Sequence, residues 1–199
     1  MMFTKEQINK IDKFLHENFE IMFEFEFNGL LLLMGGAVKG FIMDTPIRDF
    51  DFVVLTQEND NILEFIRKYK LKYKINPGHG YTINYNNFLI GLSSTNDLSK
   101  VGILSTDFLF YDIHRKQLIP IGIKNSIKKR KIIDVGYFGY PRYEQRVRLK
   151  KRKEFAKKFV QFMNNDNKRV RVVRKNKYFR RMFFGFLRNP FKIKKLFRR

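Results

Sequence analysis

Residues 33–55 read LMGGAVKGFIMDTPIRDFDFVVL, and few folds accommodate that order of features. FEFNGLLLLM contains a strand that ends at Gly35-Gly36. AVKGFIMD then reads as a short helix stopped near Pro46. RDFDFVVL follows as a strand rich in β-formers, alternating at first and then wholly apolar, as a central buried strand would be.

Asp49 and Asp51 stand at i and i+2 of that strand, so both side chains project from one face. Two carboxylates so placed can share divalent ions, as in-line nucleotidyl transfer by two metals requires. Mg2+ suits such a pair, because it keeps several waters and takes only one or two carboxylates, with phosphate oxygens supplying the rest. Gly35 and Gly36 allow backbone N–H groups to approach a triphosphate without a β-carbon in the way, just before a helix N-terminus that favours anions. A lone Asp-x-Asp is usually a solvated pair and a lone Gly-Gly is usually a turn. Together, in the order strand, diglycine, short helix, Pro, strand, they specify much more.

The rest of the chain reads as mixed α and β. TKEQINKIDKFLHENFE predicts a helix, with Thr4 and Gln7 forming a capping box and Ile8, Ile11, Phe14 and Leu15 at helical spacing. DNILEFIRKYK predicts another. YKINPGHGYTINYNNFLIGLSS predicts strands with turns at Pro77-Gly78 and Asn86-Asn87, the second suited to a tight hairpin. STDFLFYDI and KQLIPIGI add further strands, and antiparallel pairing is expected. The absence of Cys excludes disulfides and thiolate metal sites. His79, between two glycines, reads as a surface residue rather than a general base. No apolar run approaches the roughly 20 residues of a spanning helix, and the charged N-terminus lacks the apolar core of a secretory signal.

Charge divides the chain. Residues 1–120 carry 13 Lys and Arg against 15 Asp and Glu, a net of −2, whereas 121–199 carry 28 against 4, a net of +24. Three segments are therefore expected: a head over 1–140, a basic neck-like helix over 141–165, and a basic aromatic tail over 166–199. In the helix, Phe155, Phe159 and Phe162 are expected to pack against the head. The tail interleaves aromatics with cations at Arg169, Arg171, Arg174, Lys175, Lys177, Arg180, Arg181, Arg188, Lys192, Lys194, Lys195, Arg198 and Arg199. Such a segment suits RNA, with cations meeting phosphates and aromatic faces stacking on unpaired bases. From residue 168 on it is expected to order only on a polyanion. The Lys-, Asn-, Ile- and Phe-rich composition is that of an AT-rich genome, such as an organelle or a phage.

The stretch LMGGAVKGFIMDTPIRDFDFVV resembles the head-domain signature of the bacterial-type CCA-adding enzymes and poly(A) polymerases: a diglycine, a short run ending in Pro, then Asp-x-Asp at the same interval. DLSKVGILSTDFLFYDIHRKQLIPIGI is similar to a worn form of a later family segment, and YPRYEQRVRLKKRKEFAKKF to its neck helix, so the resemblance covers about residues 25–160. It implies an α+β, polymerase-β-like nucleotidyltransferase head with a mixed sheet flanked by helices, followed by a basic helical and extended C-terminal extension. It further implies Asp49 and Asp51 as catalytic metal ligands, and Gly35, Gly36, Lys39 and Lys100 at the nucleotide. The family adds nucleotides to RNA 3′ ends without a template.

Four departures from the family pattern matter. Lys39-Gly40 stands where the family has Arg-Asp, and Ser99-Lys100-Val101-Gly102 where it has Arg-Arg-Asp, leaving Lys100 as the remaining cation. The strand FLIGLSS offers Gly91 where a third carboxylate is expected, with Asp97 and Asp107 as substitutes that read better as turn or strand-edge residues. The chain also ends before the helical body that selects the base. Two readings follow: a template-independent RNA nucleotidyltransferase using Mg2+ and NTP, or the same fold with lapsed chemistry, binding tRNA or rRNA within a ribosome or other ribonucleoprotein. A toxin-like modifying enzyme would need only the head and would leave the tail unexplained.

Overall fold

The structure is a computed structural model that describes residues 3–76, 80–98, 101–102, 104–134 and 142–174, with backbone alone for 142–148 and 174. The chain forms two compact units. One comprises the residues up to Asn96 together with Leu109–Ile121, and the other comprises Asp97–Phe108 with the residues from Gly122 onward. The expected boundary at 140/141 lies outside the described residues.

The first unit is built on a seven-stranded sheet. In chain order its elements are α1 (Lys5–Asn18), α2 (Ile21–Glu24), β1 (Leu30–Met34), α3 (Gly35–Met43), β2 (Asp49–Leu55), α4 (Ile62–Lys68), β3 (Tyr73–Asn76), β4 (Gly80–Tyr85), β5 (Phe88–Thr95), β6 (Leu109–Asp112) and β7 (Gln117–Pro120). The strand order is β3-β4-β5-β2-β1-β6-β7. Only β2 and β5 run parallel, and every other neighbouring pair is antiparallel. This is the mixed sheet flanked by helices, of α+β class, that the resemblance implies.

Local chemistry explains these elements. The Thr4 side chain accepts the Gln7 N–H and Gln7 answers at the Thr4 N–H, completing the capping box. Asn86 and Asn87 both adopt positive φ, 47° and 66°, the pattern of the tight hairpin turn that joins β4 to β5. Phenylalanines supply the core on the helical side. Phe14 of α1 stacks on Phe50 of β2 at 5.5 Å between centroids, and Phe41 of α3 meets Phe14 edge-on at 5.1 Å. Phe19 and Phe88 close the same cluster. Each buried ring contributes roughly 1.5–3 kcal/mol through area removed from water, and aromatic pairs about 0.5–1.5 kcal/mol beyond it. The cluster fixes α1 and α3 on the Phe50 face of the sheet.

The second unit contains α5 (Ile123–Lys128), β8 (Lys131–Asp134), α6 (Arg142–Met163) and β9 (Arg171–Arg174). Its core joins Leu104, Ile132, Ala156, Val160 and Val170. The buried line of α6 is therefore Ala156, Phe159 and Val160, whereas Phe162 is 48% exposed. That corrects the expected Phe155, Phe159 and Phe162 stripe by a fraction of a turn. The larger correction concerns the tail. Residues 171–174 form a strand that pairs in parallel with β8, from Lys131↔Arg171 to Asp134↔Arg174, so the basic segment is folded to at least this point. Val170, Val172 and Val173 carried a β signal that the surrounding cations masked.

Candidate active site

Because β1 and β2 are antiparallel, the end of one lies beside the start of the other, with Leu33 opposite Phe52. The diglycine after β1 and the aspartates that begin β2 are thereby brought to the same end of two central strands. Gly35 opens α3 with φ 54°, a left-handed conformation that a side chain would strain. Gly36 is exposed, and a β-carbon built on it would meet no atom within 4 Å. Its surroundings are open to an incoming group, and the nine-residue helix that begins here has no side-chain cap on its first amides.

The return from α3 to β2 is held on both sides. Asp44 caps the helix in the left-handed region, φ 55°, and pairs with Lys10 of α1. Thr45 N–H donates to the Gly40 carbonyl at 3.0 Å, and a β-carbon on Gly40 would fall 2.7 Å from Ile47 Cγ1. Gly40, which departs from the family pattern, is thus the floor on which the 44–48 loop packs. Lys39 is buried, with 3% exposure.

Asp49 and Asp51 are both exposed, while Phe50 and Phe52 between and after them are buried on the opposite face. The register places Asp49 beside Leu89 and Asp51 beside Gly91 of β5. A β-carbon on Gly91 would lie 2.5 Å from Asp51 Oδ1. The carboxylate therefore leans over the neighbouring strand into space that only glycine leaves. The strand that could carry a third acid carries none at that register. Of the two substitutes, Asp107 accepts the Leu104 N–H at 2.9 Å and closes a turn, and Asp97 is buried, both in the second unit.

Two exposed carboxylates form a donor set that fits Mg2+ shared with a polyphosphate. Among the described residues no group of three or more His, Cys, Asp or Glu is placed to hold a metal unaided. Lys100 and His79 lie outside the described residues, as do all the named tail cations from Lys175 onward. Arg171 and Arg174 lie on β9 and Arg169 just before it, with Arg171 exposed. Among the described residues no helix is long and apolar enough to cross a membrane.

No family model matches the sequence, and no curated protein matches it. Among solved structures the chain is similar to a tRNA-processing enzyme in an apo form, with 17% identity and a TM-score of 0.48 over 81% of this chain and 48% of that one. It is similar to a CCA-adding enzyme in complex with CTP, with 15% identity and a TM-score of 0.44 over 67% and 34%. A tRNA nucleotidyltransferase complexed with a primer tRNA and an incoming ATP analogue gives 14% identity and a TM-score of 0.44 over 78% and 50%. The chain spans half or less of the length of each.

Proposed function

We propose that the first unit is an RNA nucleotidyl-transfer head that binds a nucleoside triphosphate at the β1–α3 turn and passes its nucleotidyl group to an RNA 3′-hydroxyl, breaking the α–β phosphoanhydride bond and releasing pyrophosphate. In this reading Asp49 and Asp51 hold Mg2+ and the basic C-terminal residues grip the RNA. The observation that carries it is the pair of exposed carboxylates at the start of β2, at the end of the central strands where β1 gives way to exposed Gly36 and the uncapped start of α3. The amides of that turn bind and orient the phosphates. Asp49 and Asp51 would hold the ion beside the reacting phosphate. When bound, the metal neutralises charge on the phosphate oxygens and favours the ionised hydroxyl.

Gly91 favours a second reading, in which the chemistry has lapsed and the head serves as an RNA-binding component of a ribosome or another ribonucleoprotein. Thermal melting separates the two. In the transfer reading, Mg2+ with a nucleoside triphosphate raises Tm for the native chain and not for Asp49→Ala/Asp51→Ala, since only the folded site binds the ligand. The absence of any shift in the native protein, with RNA binding retained, would support the second reading.

A further inference from the structure

Following the strand register outward from Asp51 gives a continuous row across the sheet. Asp51 of β2 lies beside Gly91 of β5, Gly91 beside Thr82 of β4, and Thr82 beside Lys74 of β3. The adjacent row runs from Asp49 to Leu89 and on to Asn84. Because side chains alternate along a strand, all of these project from the face opposite the phenylalanine cluster. Lys72 lies two residues before Lys74, just ahead of β3. Lys72, Lys74, Asn84 and Leu89 are exposed, and Leu89 is 45% accessible although it is a large aliphatic residue.

Three features of this face are unusual together. First, the head region is slightly acidic overall, yet Lys74 stands on the carboxylate face with Lys72 just ahead of it, and among the described residues neither has an acidic partner. Second, Gly91 carries no side chain between Asp51 and Thr82, and the Asp51 carboxylate leans over it, so a chain lying across the strands at that register meets this carboxylate directly. Third, Leu89 offers an apolar contact directly beside Asp49. From β2 to β3 is three strand spacings, about 14 Å at roughly 4.8 Å each. That is a span for a few nucleotides of an extended strand.

We propose that this face is the seat of the acceptor: a single-stranded RNA 3′ end lies across β5, β4 and β3. Its terminal ribose rests on Leu89 beside Asp49 and Asp51, and the phosphates behind it are met by Lys74 and Lys72. Thr82, whose hydroxyl accepts from Asn76 Nδ2 at 2.5 Å, and Asn84 supply polar contacts between the two ends. Lys72 and Lys74 are positioning residues and touch no reacting atom. The inference rests on the nucleotidyl-transfer reading for the role of the 3′ end, but the seat itself needs no chemistry to be observed.

The test is photo-crosslinking of the full chain to a single-stranded RNA bearing 4-thiouridine at the second or third nucleotide from its 3′ end, with the peptides mapped by mass spectrometry. Crosslinks within residues 71–76 and 81–89 are expected, lost at least fivefold in Lys72→Glu/Lys74→Glu and reduced less in Lys72→Gln/Lys74→Gln. The Asp49→Ala/Asp51→Ala protein should retain them; crosslinks here in the native chain, with no nucleotide incorporation by that native chain, would sink the transfer reading and leave the seat standing. Crosslinks confined to residues beyond 141, or a pattern indifferent to the two lysines, would overturn the seat even if incorporation proceeds. The same pattern from a 5′-end label would also overturn it, because the face would then be gripping backbone without regard to the end.

Discussion

Asp51 and Gly91 are register partners on parallel strands, and the carboxylate of the first occupies the place where a side chain on the second would begin. The glycine and the aspartate are therefore a single structural choice. An acid cannot be restored at 91 without moving the one at 51. In Gly91→Ala the new methyl would push the Asp51 carboxylate off its position and narrow the floor beside it. Nucleotide incorporation should fall about tenfold or more, in line with the sensitivity of reacting geometry to displacements near 1 Å, with the midpoint of urea unfolding little changed. Unaltered incorporation would show that the close approach has no functional consequence.

The capping box at the start of α1 makes a stability prediction independent of function. Thr4→Ala removes the acceptor for the Gln7 N–H, 3.1 Å away, and should cost about 0.5–2 kcal/mol. Equilibrium denaturation of the two proteins measures it, and Thr4→Ser should recover most of the loss.

Tyr111 of β6 is fully buried, and its hydroxyl donates to Asp12 Oδ1 at 3.2 Å. Burial, and then the negative charge of Asp12, push its pKa well above the usual 10.0. The folded state therefore holds this proton where the unfolded chain releases it. Tyr111 contributes stability fully below pH 10, and the contribution is lost as the pH climbs beyond that value. Melting temperature above pH 10 should fall more steeply for the native chain than for Tyr111→Phe. Parallel curves for the two would show that Tyr111 does not carry the alkaline loss.

In the second unit, Arg130 binds Asp166 with both guanidinium nitrogens, Nη1 to Oδ1 at 2.7 Å and Nη2 to Oδ2, while its carbonyl accepts the Arg171 N–H at 3.0 Å. One residue thus anchors both the turn before β9 and the first bond of that strand. Asp166→Ala should destabilise this pairing by about 1.5–3 kcal/mol, as expected for hydrogen bonds to a charged group. Hydrogen exchange at the amides of Val172 and Val173 should accelerate, and unchanged protection there would contradict the assignment.

The sequence carried the diglycine, the Asp-x-Asp and the strand–helix–strand order between them, because each depends on local periodicity and on residues with restricted backbone preferences. It also carried the Thr4 cap and the Asn86-Asn87 turn for the same reason. Pairing between distant strands was less legible. That β5 joins β2 in parallel, so that Gly91 meets Asp51 and Lys74 falls on the carboxylate face, is a matter of register across 20 to 40 residues. Gly40 read as the loss of a charged residue and proved to be a packing surface for Ile47. The burial of Lys39 in α3 was likewise not legible in local sequence. The strand at Arg171–Arg174 was hidden by charge: arginines flank the valines, and the cation density suggested a chain that orders only on a polyanion.

Nucleotide transfer supported by Asp49 and Asp51 is measured by incorporation of each labelled nucleoside triphosphate into RNA 3′ ends. With Mg2+ present, the native chain should extend RNA and the Asp49→Ala/Asp51→Ala protein should not, while both bind the RNA alike. Incorporation by the native chain no greater than by the double mutant, from protein that is folded and bound to RNA, would contradict transfer supported by the two aspartates.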